Sequence, residues 1–191
     1  MSSTWSAATW EAMYAPYDQP TYQAVLQLLR PQDVVLDIGA GDLRFSRQAA
    51  LIAKKVYAVE IDSLLLQGDL AACGPRPHHL IPICADAQIF GFPTDLTVGV
   101  LLMRHCTHFR LYLEKLRRVG ARRLITNARW HISVEEVDLW TESTSFHEID
   151  MGWYACICGA TGFKVGPAEQ WLAEMDKIVY EVMDCPQCEE V

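Results

Sequence analysis

The sequence predicts an α/β protein: a mainly parallel, twisted sheet between two helical layers, with a small metal-stapled extension at the C-terminal end. Two observations carry this reading. The runs "DVVLDIG", "KVYAVEID", "HLIPICADA", "LTVGVLLMR" and "RRLITNARW" are apolar throughout rather than alternating, and helical patterns of about ten residues separate them. Strands of that kind are buried on both faces, which is the signature of a parallel sheet covered by its own crossover helices. The third sign is local: four of the seven cysteines fall in two close pairs after Tyr154.

Taken in order, the first thirty residues read as helical. Trp10, Met13, Tyr14 and Tyr17 share one helix face, although Pro16 breaks it. A second helix opens near Pro20, where a first-turn proline is tolerated, and carries Tyr22, Val25, Leu26 and Leu29 until Pro31 stops it. The strand "DVVLDIG" closes on glycine. "LRFSRQAALIAK" is helical, "KVYAVEID" a strand and "SLLLQGDLAAC" a helix. After the strands "HLIPICADA" and "LTVGVLLMR" comes the helix "FRLYLEKLRR", ended by Gly120, then the strand "RRLITNARW". Beyond Trp130 the chain turns acidic and irregular, with a helix expected at "PAEQWLAEMD" and a strand at "KIVYEVM". The expected division is therefore an N-terminal helical segment (1–30), a sheet core (31–131) and a C-terminal extension (132–191).

A chain of 191 residues can bury one good core, and 51% hydrophobic with 21% charged residues is the balance of a soluble globular protein. No apolar run reaches the roughly 20 residues of a membrane span. The N-terminus lacks the basic start and apolar centre of a secretory signal, so the expectation is cytoplasm and reduced thiols. Net charge is −8 but unevenly spread. Between Arg104 and His131, eight basic residues face a single acid, Glu114, whereas residues 132–191 hold 13 acids against Lys164 and Lys177. A basic band can meet a polyanion. The plainer reading makes Lys115, Arg117, Arg118, Arg122 and Arg123 the solvated face and end of one helix.

The stretch "VVLDIGAGDLRFS" presses a carboxylate, Asp37, against the glycines Gly39 and Gly41 at the end of a buried strand. A dinucleotide site wants a third glycine where this chain has Arg44, and Asp37 would stand near its pyrophosphate with like charge. S-adenosylmethionine has no phosphate and carries a sulfonium and an ammonium, which a carboxylate attracts. Glycine lets the backbone approach such a ligand without a Cβ clash. Glu60, nineteen residues after Gly41, ends the second strand where a carboxylate can accept from both ribose hydroxyls. Asp86 in "ADA" can accept from an adenine amino group, with Ala87 donating through its backbone. A turn or helix-cap role for Asp86 stays open.

This ordered set resembles the class I, Rossmann-like S-adenosylmethionine-dependent methyltransferases from about Pro31 to Trp130. "VLDIGAGD" looks like their first motif, "VYAVEID" their second and "ADA" their adenine motif. The resemblance implies a cofactor set of Asp37, Gly39, Ala40, Gly41, Glu60, Ile61, Asp86 and Ala87, with Tyr14 and Tyr17 as an N-terminal lid or, equally, core residues of a helix. "AKKVYAVEID" is also similar to a segment of the rRNA adenine dimethylases. Their proline-rich, aromatic signature after the fourth strand is replaced here by Leu102-Met103-Arg104-His105, so their substrate does not carry over.

On the acceptor side, His105 and His108 stand where a general base would, and Arg104 can orient an anionic group. Asn127 can hydrogen-bond a substrate. Each also reads plainly as a satisfied loop residue. The acceptor is undetermined, with a small molecule or protein favoured over nucleic acid because the chain is acidic. The competing function is a non-catalytic module that binds the cofactor, nucleic acid or protein through the basic band and the metal knuckle.

Cys156 and Cys158 point the same way if they lie on a strand, and Cys185-Pro-Gln-Cys188 has the spacing of a metal knuckle. Four thiolates suit a structural zinc better than an iron–sulfur cluster, though the one-residue gap of the first pair is unusual for zinc and a metal-free reading stays open. Cys73, Cys84 and Cys106 read as ordinary buried thiols.

Overall fold

The computed structural model describes residues 19–72, 75–104, 106–131 and 133–189. The face of Trp10, Met13, Tyr14 and Tyr17 lies outside the described residues. So do His105 and Cys73. The chain forms two compact units, Met1–Ala87 and Gln88–Val191.

In the first unit, α1 (Gln19–Leu28) buries Tyr22, Val25 and Leu26, the predicted stripe. Tyr22 meets Phe45 of α2 (Arg44–Ala49) with ring centroids 5.8 Å apart. The strands β1 (Val34–Ile38), β2 (Lys55–Glu60) and β3 (Leu80–Cys84) lie in the order β3-β2-β1. All are parallel, with Asp37 opposite Ala58 and Glu60 opposite Cys84. Every β1 residue is buried, as its unbroken apolar run requires. Pro82 is accepted in β3 because, among the described residues, that strand is an edge strand paired with β2, and a missing N–H can face outward. The α3 helix (Ser63–Ala72) follows β2.

The second unit opens with β4 (Val98–Leu101), α4 (Phe109–Arg118) and β5 (Arg123–Thr126), a parallel crossover. The α4 helix buries Phe109, Tyr112, Leu113 and Leu116, spaced three and four residues apart. Gly99 lets it settle on β4, since a Cβ there would come 2.5 Å from Leu116 Cδ1. The acidic stretch after Trp130 adds β6 (Glu135–Asp138), antiparallel to β5. A second sheet follows from β7 (Thr144–Ser145), β8 (Gly152–Cys156), β9 (Thr161–Lys164) and β10 (Val179–Asp184) in the order β7-β10-β8-β9. The helix expected at "PAEQWLAEMD" is instead two short 3₁₀ turns, Ala168–Gln170 and Ala173–Lys177. Trp171 and Leu172 are exposed, so no apolar stripe is buried to hold an α-helix there.

Arg129 joins the small sheet to the end of β5. Its guanidinium, 3% exposed as a residue, donates four hydrogen bonds of 2.6–2.8 Å to Glu135 beside it on β6 and Glu181 on β10. Burial opposes its charge, but the two carboxylates hold it protonated. Arg129→Ala strands both acids, so it is expected to cost about 3 kcal/mol, read as a lower urea midpoint.

The basic band is mostly occupied. Lys115 Nζ donates to the carbonyls of Gln88 (3.0 Å) and Phe90 (2.7 Å) and sits over the Phe92 ring. Arg117 Nε donates to Leu139 O at 2.5 Å, and Arg110 pairs with Glu114. Arg123 departs from its expected place on a solvated face: it is buried in β5 and paired with Glu136.

Candidate functional site

The β1 strand delivers its last two residues, Asp37 and Ile38, into a turn that only unusual backbone can make. Gly39 (φ 76°), Gly41 (φ 57°) and Leu43 (φ 64°) all occupy the left-handed region. Glycine takes it without penalty; Leu43 does so with its side chain wholly buried, which marks a turn held by its surroundings. The N–H groups of Gly39 and Ala40 both reach Val59 O at 2.9 Å, tying the turn to β2. Ala40 and Gly41 are buried, while Gly39 is exposed.

Glu60 pins the other side. Its Oε2 accepts from the Gly41 N–H and its Oε1 from the Asp62 N–H, each at 2.9 Å. A carboxylate has about four lone-pair sites, so these bonds orient it and leave acceptor capacity for two ribose hydroxyls. Ile61 beside it is 67% exposed, an apolar surface of the kind a flat aromatic base can cover. Asp86 is half-buried and Ala87 buried, just past the end of β3.

Asp37 is 4% exposed and accepts a hydrogen bond from Ser46 Oγ of α2. Burial pushes its carboxyl up from 3.8 to about 7; the Ser46 bond pulls down and the Glu60 charge pushes up further. Among the described residues no cation pairs with either Asp37 or Glu60. Two adjacent strands thus end in buried carboxylates, with no positive charge supplied by the described residues. Sequence reasoning misses Ser46, whose only signal is a hydroxyl beside buried Phe45 in a short helix that faces β1.

The acceptor-side residues are less convergent. Arg104 and His108 are exposed in the segment between β4 and α4, and His108 precedes the first turn of α4. His108 Nδ1 shares a 3.1 Å hydrogen bond with Thr107 Oγ1. At the end of β5, Asn127 is 2% exposed, and neither its amide nitrogen nor its amide oxygen has a partner among the described residues. Of the other cysteines, Cys84 is exposed rather than buried, as the last residue of the sheet's edge strand, and Cys106 is half-buried.

The structure brings the four late cysteines together. Their Sγ atoms all lie within 4.8 Å of one another, with 3.5 Å between Cys156 and Cys188, 3.6 Å between Cys158 and Cys185, and 3.7 Å between Cys185 and Cys188. These separations are far beyond a disulfide bond. A tetrahedral zinc with Zn–S bonds of about 2.3 Å spaces its sulfurs by about 3.8 Å, so the cluster fits that ion. The one-residue gap of the first pair is accommodated because Cys156 ends β8 and the Cys156–Gly159 turn brings Cys158 back beside it. The cluster can hold a metal.

No family model and no curated protein matches the chain. Solved structures do. A 23S rRNA methyltransferase, ErmE, is 19% identical, with a TM-score of 0.51 over 58% of this chain and 46% of that one. A dimethyladenosine transferase from Plasmodium falciparum is 20% identical, with a TM-score of 0.50 over 57% and 41%. The matches thus span less than half of those proteins. The likeness shows the fold: a mainly parallel, Rossmann-like sheet of the class I methyltransferase type. No helix among the described residues is long and apolar enough to cross a membrane.

Proposed function

We propose that this class I fold serves an S-adenosylmethionine-dependent methyltransferase, with the cofactor on the β1–β2 turn and a structural zinc on the four cysteines. The observation that carries the reading is the pair of buried carboxylates, Asp37 and Glu60, beside a glycine turn and without a cation among the described residues. A diphosphate would meet repulsion there; a cationic nucleoside is attracted. Glu60 takes the ribose, Ile61 and the Asp86–Ala87 pair the adenine, and exposed Gly39 admits the methionyl chain.

S-adenosylmethionine, when bound, supplies a methyl carbon on sulfonium that passes in line to an acceptor lone pair as the carbon–sulfur electrons return to sulfur. Proximity and alignment account for about 7–11 kcal/mol of the barrier in such a reaction. This chain's contribution is therefore mainly positioning. His108 and His105 are the candidates to take a proton from the acceptor, Arg104 to orient an anionic group, and Asn127 to satisfy its buried amide on the acceptor. Small molecules and proteins remain the favoured acceptors. The occupied basic band offers few free charges to nucleic acid, and the segment Leu102–Cys106 lacks the proline-rich signature of adenine methylation.

Calorimetric titration tests the ligand class. Saturable binding of S-adenosylhomocysteine with no binding of NAD supports the proposal; the reverse pattern ends it. Incubation with methyl-labelled S-adenosylmethionine and cell extract tests catalysis. Binding without label transfer to any fraction points to the non-catalytic module.

The Asp37 carboxyl makes a further test. A cationic ligand favours the carboxylate, so binding pulls the proton off. Affinity for S-adenosylmethionine is expected to rise about tenfold per pH unit well below about 7 and to flatten above it, with about one proton released per ligand at about pH 6 or lower and about half a proton at about pH 7. Calorimetry in buffers of different ionisation enthalpy measures that proton, and Asp37→Asn removes the dependence. In the free protein the sign reverses. Because the folded carboxyl stands above its unfolded value, the stability it contributes is full below about 3.8 and lost as pH rises through about 7.

A further inference from the structure

We infer that the four-cysteine centre positions the first turn of α4, and through it the acceptor-side residue His108. This rests on the metal occupancy proposed above. The knuckle that carries Cys156 and Cys158 turns at Gly159, whose N–H reaches Cys156 O at 2.9 Å and whose φ is 102°. A Cβ on Gly159 would lie 2.9 Å from Phe109 Cβ and 3.2 Å from its Cγ. The knuckle backbone therefore rests directly on Phe109, the first residue of α4, which is wholly buried. The Arg129 guanidinium lies over the Phe109 ring, 5.8 Å from its centroid, so the residue is held between the metal knuckle and the end of β5.

The second metal knuckle closes the arrangement. Cys188 N–H reaches Cys185 O at 2.8 Å, and Ile157 N–H reaches Val182 O at 3.0 Å. One ion bonded to Cys156, Cys158, Cys185 and Cys188 would lock these two turns into a single support for Phe109. Four thiolates around a divalent ion leave two negative charges, near Arg110 and close to the positive N-terminal end of a ten-residue helix. The charge and the packing thus favour the same docking. Upstream, only the residues between Leu101 and Phe109 link β4 to α4, and the Tyr112 N–H closes the first helical turn on His108 O at 3.1 Å. A shift of Phe109 is passed to His108, its neighbour in that turn. Phe109 and Gly159 are positioning residues; neither is placed against the acceptor.

The test is amide hydrogen exchange on the full chain, zinc-loaded and after chelation in reductant. Chelation is expected to speed exchange at Tyr112–Lys115 at least tenfold, beyond its effect on the cysteine knuckles. Amides of β1 and β2 should keep their rates, and S-adenosylhomocysteine affinity should stay within twofold. The His108 ring resonance, assigned with His108→Gln, should shift on chelation, which a purely local metal staple would not produce. Gly159→Ala keeps all four ligands and should retain one metal per chain while showing the same loosening of α4. One bound metal with α4 rates and the His108 resonance unchanged in both chelated protein and G159A overturns the inference alone. Absence of any bound metal in reduced protein overturns the metal assignment and the inference together.

Discussion

Gly39→Val is expected to weaken S-adenosylhomocysteine binding by at least about 100-fold, roughly 2.7 kcal/mol. Two effects add. Gly39 is exposed at the mouth of an otherwise buried strand end, so an isopropyl group would stand in the space the methionyl chain needs. Its φ of 76° is also a region that a β-branched residue scarcely enters, at a cost of roughly 1–2 kcal/mol. Relief of that strain would pull the Gly39 and Ala40 N–H groups away from Val59 O and distort the turn. Gly120→Val separates the two effects. Gly120 has a similar φ of 82°, a Cβ there would have no atom within 4 Å, and it follows α4, remote in sequence from the turn. It should lower the melting temperature comparably and leave affinity unchanged. Equal affinity in Gly39→Val and wild type would remove the glycine turn from the cofactor site.

Loss of the metal is the second large effect. The small sheet has a modest core of Ile149, Tyr154, Cys156, Val182 and Cys185, and two of those five are proposed ligands. Metal binding energy in small thiolate sites is folding energy, about 10–16 kcal/mol in isolated zinc-finger peptides. Without the ion, burial pushes the Cys156 thiol far up and Cys185 to about 11, so these two core sulfurs pack as neutral thiols with nothing to join them. Cys156→Ser, or chelation under reductant, should expose residues 150–189 to limited proteolysis while 19–87 stays resistant. Uniform proteolysis of both units would show that the metal stabilises the whole chain. Unchanged proteolysis would show that the small sheet stands without it.

Much of this is legible in sequence because local chemistry decides it. The α4 helix begins and ends where "FRLYLEKLRR" does, since its four buried residues fall on one helical stripe and Gly120 stops it. The β1 strand and its turn are readable because a continuous apolar run ending in glycines has few other folded uses. Other features are illegible because long-range contacts decide them. The β6 strand has an acidic, exposed edge and forms only by pairing with β5. The segment 168–177 has helical composition, but none of its described side chains is buried. Arg123 and Arg129 look like members of a basic band until Glu136, Glu135 and Glu181 arrive beside them from later strands.

Amino-acid order alone is enough for the succession of apolar runs, the glycine turn and the spacing of the thiols, because each depends on neighbours a few residues apart. Folding in three dimensions was needed to bury Asp37 and Glu60 side by side, to bring four sulfurs to zinc-like separations, and to rest a metal knuckle on Phe109. Those outcomes depend on desolvation and on distances between residues far apart in the chain, and neither quantity exists until the chain has folded.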